Sequence, residues 1–339
     1  MKRAIEQIKN ASDLKFKVKK KIFELSINFS TNRAKLFNAF NNLILWDKVF
    51  QKPELNNFKF YLIDTREINL PIVFDTPENF KLQKKIGEIE YYIHPKNNEI
   101  LFIQIYKSIR FYIDLEEKLV FGALVLGKIY SDDFLAQFII FPILDFILKD
   151  LGYFSIHSGG IVKGRKAVIF PARKESGKTT LSLYLARNGF GFLGDETIYG
   201  TSAESGVELF GFPRQIKLYN DSIKFFPEIS KLNEFKDIKL KRFKVRFPVD
   251  KLLNLNIKKK SGPGFIIFPS RGKRFSIKPL KKIDAVKYIV PESAEFIGKK
   301  IAVEYLDFIH KLIDESRVFK LVTGSDLDLV TREISGLFQ

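Results

Sequence analysis

The sequence predicts an α+β or mostly β module over residues 1–132, followed by an α/β domain over 133–339 whose central sheet is flanked by helices. Three observations carry this reading. A chain of 339 residues has room for about two domains. Short runs rich in Phe, Tyr, Ile and Val recur up to about residue 130 with turn residues between them, the texture of strands. From residue 133 the order becomes helix, strand, glycine-containing loop, helix and strand, which is the pattern of α/β units.

In the first module FKFYLID (58–64), IEYYIH (89–94), EILFIQIY (99–106) and RFYIDLEEKLVFGALVL (110–126) read as strands. Pro71, Pro77 and the PKNN at 95–98 punctuate them, and LEEK at 115–118 predicts a hairpin. His94, just before Pro95, reads as a structural or solvent-facing turn residue. The most apolar run, Phe134 to Leu148, contains Gln137, Pro142 and Asp145. It falls short of the roughly 20 apolar residues that span a membrane, so it predicts a buried helix. The N-terminal MKRAIEQIKN lacks the apolar stretch of a signal peptide, and a cytoplasmic location is expected.

In the second module a helix over 133–150 closes at Gly152, and FSIHSGGIV follows as strand. KGRK (163–166) is a turn into the strand AVIF (167–170). LSLYLARNG is a helix that Gly189 terminates, and FGFLGDE (190–196) is another short strand. Within RFKVRF (242–247), Phe243, Val245 and Phe247 alternate with Arg242, Lys244 and Arg246. That strand has one apolar and one basic face. It is either an edge guarded by charge or a surface for an anionic acceptor. The stretch from Ser293 to Leu337 reads as helical and amphipathic, with His310 a packed or surface residue of a helix.

Composition excludes several chemistries. With no cysteine there are no disulfides, thiolate zinc sites, iron–sulfur clusters or cysteine nucleophiles. The three histidines, His94, His157 and His310, lack metal-ligand spacing, so any metal is expected to be a hard, oxygen-bound ion such as Mg²⁺. A net charge of +18 favours anionic partners. The basic residues are 14 Arg and 43 Lys in a chain full of Asn, Ile and Phe, a mixture that genome-wide residue bias also produces. Charge alone therefore does not argue for nucleic acid, and nucleic acid is not the expected partner.

Ala172 to Thr179, ARKESGKT, matches the phosphate-binding pattern G-x-x-x-x-G-K-[ST] except for Ala172 at the first glycine. Gly177 would let the backbone approach a phosphate, and successive N–H groups and the helix dipole would attract it. Lys178 supplies a point charge, and the Thr179 hydroxyl is a ligand for Mg²⁺. The candidate nucleotide contacts are Ala172, Arg173, Lys174, Glu175, Ser176, Gly177, Lys178, Thr179 and Thr180. A decayed or purely structural loop is the alternative. Asp195 and Glu196 follow only 17 residues after Lys178. They suit proton acceptance from an attacking hydroxyl and metal binding, or else form an ordinary surface turn.

HSGGIV, ARKESGKTT and GDE, in that order, resemble the HPr kinase/phosphorylase family and its relatives in the phosphoenolpyruvate carboxykinase-like superfamily of phosphate-loop proteins. VELFGFPRQIKL (207–218) is similar to that family's Pro-Arg segment, and GFIIFPSRG (264–272) to a late strand followed by an arginine. The resemblance covers about 135–285. It implies an HPr kinase-like α/β domain that uses ATP and Mg²⁺ to phosphorylate a hydroxyl, on a small molecule or on a Ser of a peptide. By the same resemblance Lys178 and Thr179 would hold phosphates and Mg²⁺, and Asp195 would be the base, with Glu196 beside it. His157 would lie near the transferring phosphate, a packed core histidine being the other reading. Glu208 would join Thr179 and Asp195 at the metal, and Arg214 and Arg271 would stabilise charge or touch the acceptor. Ala172, Lys174 and Glu175 depart from the family's G-x-S-G-x-G-K-[ST], and Glu196 replaces its second Asp. A carboxylate at 175 should repel phosphate unless neutralised, and the methyl at 172 requires a negative φ. The competing function is a nucleotide-binding regulatory protein or pseudokinase. A motion-coupled ATPase ranks last, because there is no LSGGQ and no distant acidic strand. Oligomerisation is left open.

Overall fold

The computed structural model describes residues 14–43, 56–67, 80–86, 88–105, 108–126, 130–173, 175–212, 216–229, 244–247, 255–293 and 298–339. The chain divides into two units, Met1–Leu148 and Lys149–Gln339, each built on its own sheet, and both are mixed α and β.

The first unit holds strands β1 (Phe16–Ile22), β2 (Leu25–Thr31), β3 (Asn56–Asp64), β4 (Lys81–Ile86), β5 (Ile89–His94), β6 (Asn97–Ile105), β7 (Ile109–Asp114) and β8 (Leu119–Leu124). Their order across the sheet is β1-β2-β3-β8-β7-β6-β5-β4, with β2, β3 and β8 parallel. The LEEK hairpin joins β7 to β8 in antiparallel register. Helix α1 (Ala34–Leu43) buries Leu36, Ala39, Phe40 and Leu43, the i, i+3, i+4, i+7 stripe of a one-sided helix. Phe40 stacks on Phe29 of β2 with centroids 4.2 Å apart. The Asp64 carboxylate, fully buried at the end of β3, is paired with Arg33 at 3.3 Å and Arg66 at 3.1 Å. His94 ends β5, edge-on to Phe80.

The apolar run forms helix α2, which passes through Asp132–Phe134, a π-helical stretch Leu135–Ile140 and Phe141–Asp150. The π stretch precedes Pro142, whose missing N–H removes one rung of the α ladder. Its first turns pack on α1, so the unit boundary falls after Leu148 and not at 132/133. Among the described residues no helix is long and apolar enough to cross a membrane.

The second unit contains β9 (Phe154–Ile156), β10 (Ser158–Lys163), β11 (Lys166–Pro171), helix α3 (Lys178–Arg187), β12 (Gly191–Gly194), β13 (Ile198–Ala203), β14 (Gly206–Gly211) and β15 (Ile216–Tyr219). After them come β16 (Lys244–Phe247), β17 (Lys260–Ser270), β18 (Ser276–Pro279), helices α4 (Lys282–Ser293) and α5 (Lys299–Asp314), β19 (Arg317–Val322) and helix α6 (Leu327–Gly336). The main sheet runs β12-β10-β11-β17-β14-β13-β9, with β19 parallel to β17 and β18 antiparallel to β19. Its centre is the parallel pair β11 and β17. Leu181, Leu183, Leu185 and Ala186 of α3 join Val168, Phe170, Ile267, Leu321, Val330 and Ile334 in one buried cluster. Each such side chain contributes about 1.5–3 kcal/mol by leaving water, and together they clamp α3 to the sheet.

Two expectations need adjustment. The Ser293–Leu337 stretch is not helical throughout, because Arg317–Val322 is strand β19 between α5 and α6. Val318, Phe319 and Leu321 are buried there, and a parallel ladder to β17 outweighs local helix propensity. Residues 294–297 lie outside the described residues, while His310 is an exposed residue of α5. The basic strand is described over Lys244–Phe247 and pairs antiparallel with β15 in a separate two-stranded sheet.

Gly211 at the end of β14 marks where β12 is held. A Cβ there would sit 1.9 Å from the Leu193 carbonyl oxygen, two residues before Asp195. Gly211→Ala should therefore lower stability by at least about 2 kcal/mol, read as a fall in the denaturant midpoint. An unchanged midpoint would show that β12 and β14 are not in contact.

Candidate functional site

Strand β11 ends at Pro171 and helix α3 begins at Lys178, so residues 172, 173 and 175–177 lie in the connection at the sheet's carboxyl edge. Gly177 has φ +95°, a left-handed conformation that L side chains rarely adopt, and it opens directly into α3. Glu175 has φ +69° and Glu196 φ +62°, so two carboxylate residues sit in the strained left-handed region. Ala172 is not among the positive-φ residues, which meets the condition on its methyl. The Tyr219 hydroxyl donates to Glu175 Oε1 at 3.2 Å and takes up part of its charge.

Lys178 is 7% exposed, and its ammonium donates to the carbonyls of Ala172 and Arg173, the latter at 3.1 Å. It also lies 3.2 Å from His157 Nε2. His157 Nδ1 is 2.9 Å from the Glu196 carbonyl. A carbonyl requires a proton on Nδ1, and an ammonium requires a lone pair on Nε2, so the partners assign the neutral Nδ1–H tautomer. The histidine thus links Lys178 to the turn that carries the acidic pair.

Thr179, in the first turn of α3, shares its hydroxyl proton between Asp195 Oδ1 at 3.1 Å and Oδ2 at 2.9 Å. Asp195 follows β12 and is 6% exposed. Burial, and then the neighbouring Glu196 charge, push its carboxyl up to about 6, against the bonds from Thr179 and the Glu196 backbone. Lys217 Nζ stands 3.7 Å from Glu196 Oε2. Thr180 donates to Ser222 Oγ at 3.0 Å. Arg271, just after β17, places Nε 3.8 Å from where a Cβ on Gly177 would be.

The structure therefore brings His157, Glu175, Ser176, Gly177, Lys178, Thr179, Thr180, Glu196 and Arg271 around one small cavity of about 80 Å³. Asp195 is hydrogen-bonded behind Thr179. Glu208 does not join them: it lines neither cavity beside the loop, and its carboxylate takes Lys260 at 2.6 Å. Lys174 and Arg214 lie outside the described residues. Reading from sequence missed Lys217 and Tyr219, whose signal was only an alternating IKLY, and the turn TGSD (323–326) beyond β19. Turn residues after a parallel strand were the available hint, because ligands gather at carboxyl edges.

No protein-family model and no curated protein matches the sequence. Among solved structures, the Hpr(Ser) kinase/phosphatase from Coxiella burnetii is similar at 12% identity and a TM-score of 0.30, over 54% of this chain and 94% of that one. The likeness is distant.

The raised Asp195 carboxyl makes a stability prediction for the metal-free protein. With a folded value near 6 and an ordinary value of 3.8, the native state binds more protons between those limits. The contribution of this group to stability is then greatest at low pH and falls as pH rises through that window, by about 3 kcal/mol at neutrality. Asp195→Asn should stabilise the protein at pH 7 and give almost no gain at pH 4, measured by denaturant melts. An equal effect at both pH values would show that the carboxylate is not desolvated.

Proposed function

We propose that this protein is an ATP- and Mg²⁺-dependent phosphotransferase acting on a hydroxyl, of a small molecule or of a Ser in a peptide. The observation that supports it most is the convergence of the Lys178 ammonium, the Thr179 hydroxyl and the buried Asp195 carboxylate at the start of one helix. The loop backbone and Lys178 attract phosphates, and the α3 dipole adds to that attraction.

Among the described residues there is no group of three or more His, Cys, Asp or Glu that could hold a metal. Thr179 and Asp195 are nonetheless hard oxygen donors in mutual contact. They fit Mg²⁺, which takes one or two protein oxygens and completes its shell with phosphate and water. When bound, the ion neutralises charge on the phosphates. Once the Thr179 hydroxyl turns away from it, Asp195, mostly ionised at neutral pH, accepts the proton of the acceptor hydroxyl as that oxygen attacks the terminal phosphorus, and ADP departs. His157 holds Lys178 and the Glu196 turn in place through its two nitrogens, a positioning role. Arg271 supplies further positive charge beside Gly177.

Glu175 favours a second reading, a nucleotide-responsive protein without transfer activity, since it puts a strained carboxylate into the loop. Binding and transfer separate the two. Calorimetry with ATP and Mg²⁺ should show binding in the native chain and at least about tenfold weaker binding in Lys178→Ala, the weight of a charge-assisted hydrogen bond. Transfer from labelled ATP to hydroxyl compounds and Ser peptides should fall roughly 10²–10⁴-fold in Asp195→Asn. Absence of ATP binding by the native chain would sink both readings, and binding without transfer to any acceptor would select the second.

Glu175→Gly relieves the left-handed strain and removes a like charge from the phosphate path. ATP should bind about fivefold more tightly, the worth of about 1 kcal/mol. Weaker binding would mean that the Tyr219 contact organises the loop.

A further inference from the structure

Two cavities of the second unit meet at the loop and share Ser176, Gly177, Thr180 and Arg271 as lining. The smaller, about 80 Å³, is walled by His157, Lys178, Glu196, Lys217 and Tyr219. The larger, about 370 Å³, extends past Asp221, Ser222 and Phe225 to Thr323, Ser325 and Leu327.

We propose that the larger cavity takes the nucleoside part of the phosphate donor, leaving the smaller one for the terminal phosphate and the incoming hydroxyl. This rests on the phosphotransferase reading above. Size argues first. A cavity of about 80 Å³ holds a phosphoryl-sized group, since one water takes about 30 Å³ of liquid. The larger one falls in the range of small-molecule sites, roughly 300–1,000 Å³. Chemistry argues next. Leu181, Phe225 and Leu327 offer apolar walls to a base, while the hydroxyls of Thr323 and Ser325 suit a sugar.

Charge in the larger cavity is mixed, since Lys224 and Arg271 line it as well as Asp221. The Asp221 carboxylate takes the Ser222 hydroxyl at 3.2 Å and has further lone pairs for a sugar hydroxyl or a base amino group. Arg271 lies where the cavities join, the place the bridging phosphates would cross. Ser176 lines both, and its buried hydroxyl oxygen has no hydrogen-bond partner among the described residues. A phosphate oxygen running along the loop would supply one.

The test compares ATP with inorganic tripolyphosphate, which carries the phosphates without the nucleoside, by calorimetry on the full chain with Mg²⁺. ATP should bind at least about tenfold more tightly, the size of a stacked base. Phe225→Ala should remove that advantage and leave tripolyphosphate binding unchanged. Ser325→Trp, at an exposed position that the fold does not depend on, should do the same by filling the cavity. Equal affinities in the native chain, or an ATP preference that survives both variants, would overturn this assignment alone. Binding of neither compound would overturn the phosphotransferase reading and the assignment with it.

Discussion

The hydroxyl of Thr179 on the carboxylate of Asp195 ties the first turn of a helix to the end of a strand, and the geometry of the second unit converges on that contact. Neither residue could be placed alone. Strand β11 delivers the chain to the loop, α3 is clamped by its leucines onto the sheet, and β12 is held at van der Waals range by the bare backbone of Gly211. The carboxylate at the meeting point is almost dry, which raises its affinity for a proton and costs the fold stability at neutral pH. A buried, charged group kept at such expense is the kind of feature that concentrates at functional sites.

Around this contact, the loop satisfies itself with unusual residues. The Lys178 ammonium is bonded to two loop carbonyls and faces His157, while the histidine's other nitrogen bonds the turn that carries Glu196. The lysine is therefore already oriented, with little side-chain entropy left to lose if a phosphate binds there as proposed. The two left-handed glutamates, Glu175 and Glu196, each store backbone strain and add a negative charge beside the loop. Tyr219 and Lys217, both from β15, partner these charges, so a strand with no chemistry of its own sets the electrostatics of the loop.

The first unit solves a different problem with similar means. Its sheet covers one helix with a seam of phenylalanines, and the one carboxylate sunk at the end of β3 is matched by two arginines. Asn32 bonds both backbone groups of Asp64 at 2.9 Å, which fixes where the parallel strands β2 and β3 end. Two guanidinium partners offset the desolvation that a lone buried charge would carry.

By itself the sequence determined the local pieces whose signals are local. Phe- and Ile-rich runs specified β3 and β5 to β8 of the first sheet but not β1, β2 or β4, the LEEK turn specified a hairpin, and ARKESGKT between an apolar run and a helical pattern specified strand, loop and helix. The proximity of Asp195 to Thr179 was legible because only a short helix and strand separate them. Tertiary structure decided the rest. Residues 317–322 became a strand because a parallel ladder along β17 buries Val318, Phe319 and Leu321, a gain that no local propensity encodes. The boundary falls in the last turn of the apolar helix, after Leu148, because the first turns of that helix pack on α1. Glu208 fell to Lys260, whereas Lys217, Tyr219 and the turn at 323–326 came to the loop from far along the chain. The physical reason is common to all of them: a side chain's partner across a sheet is chosen by register and packing between distant segments, and neither is written in the spacing of one segment.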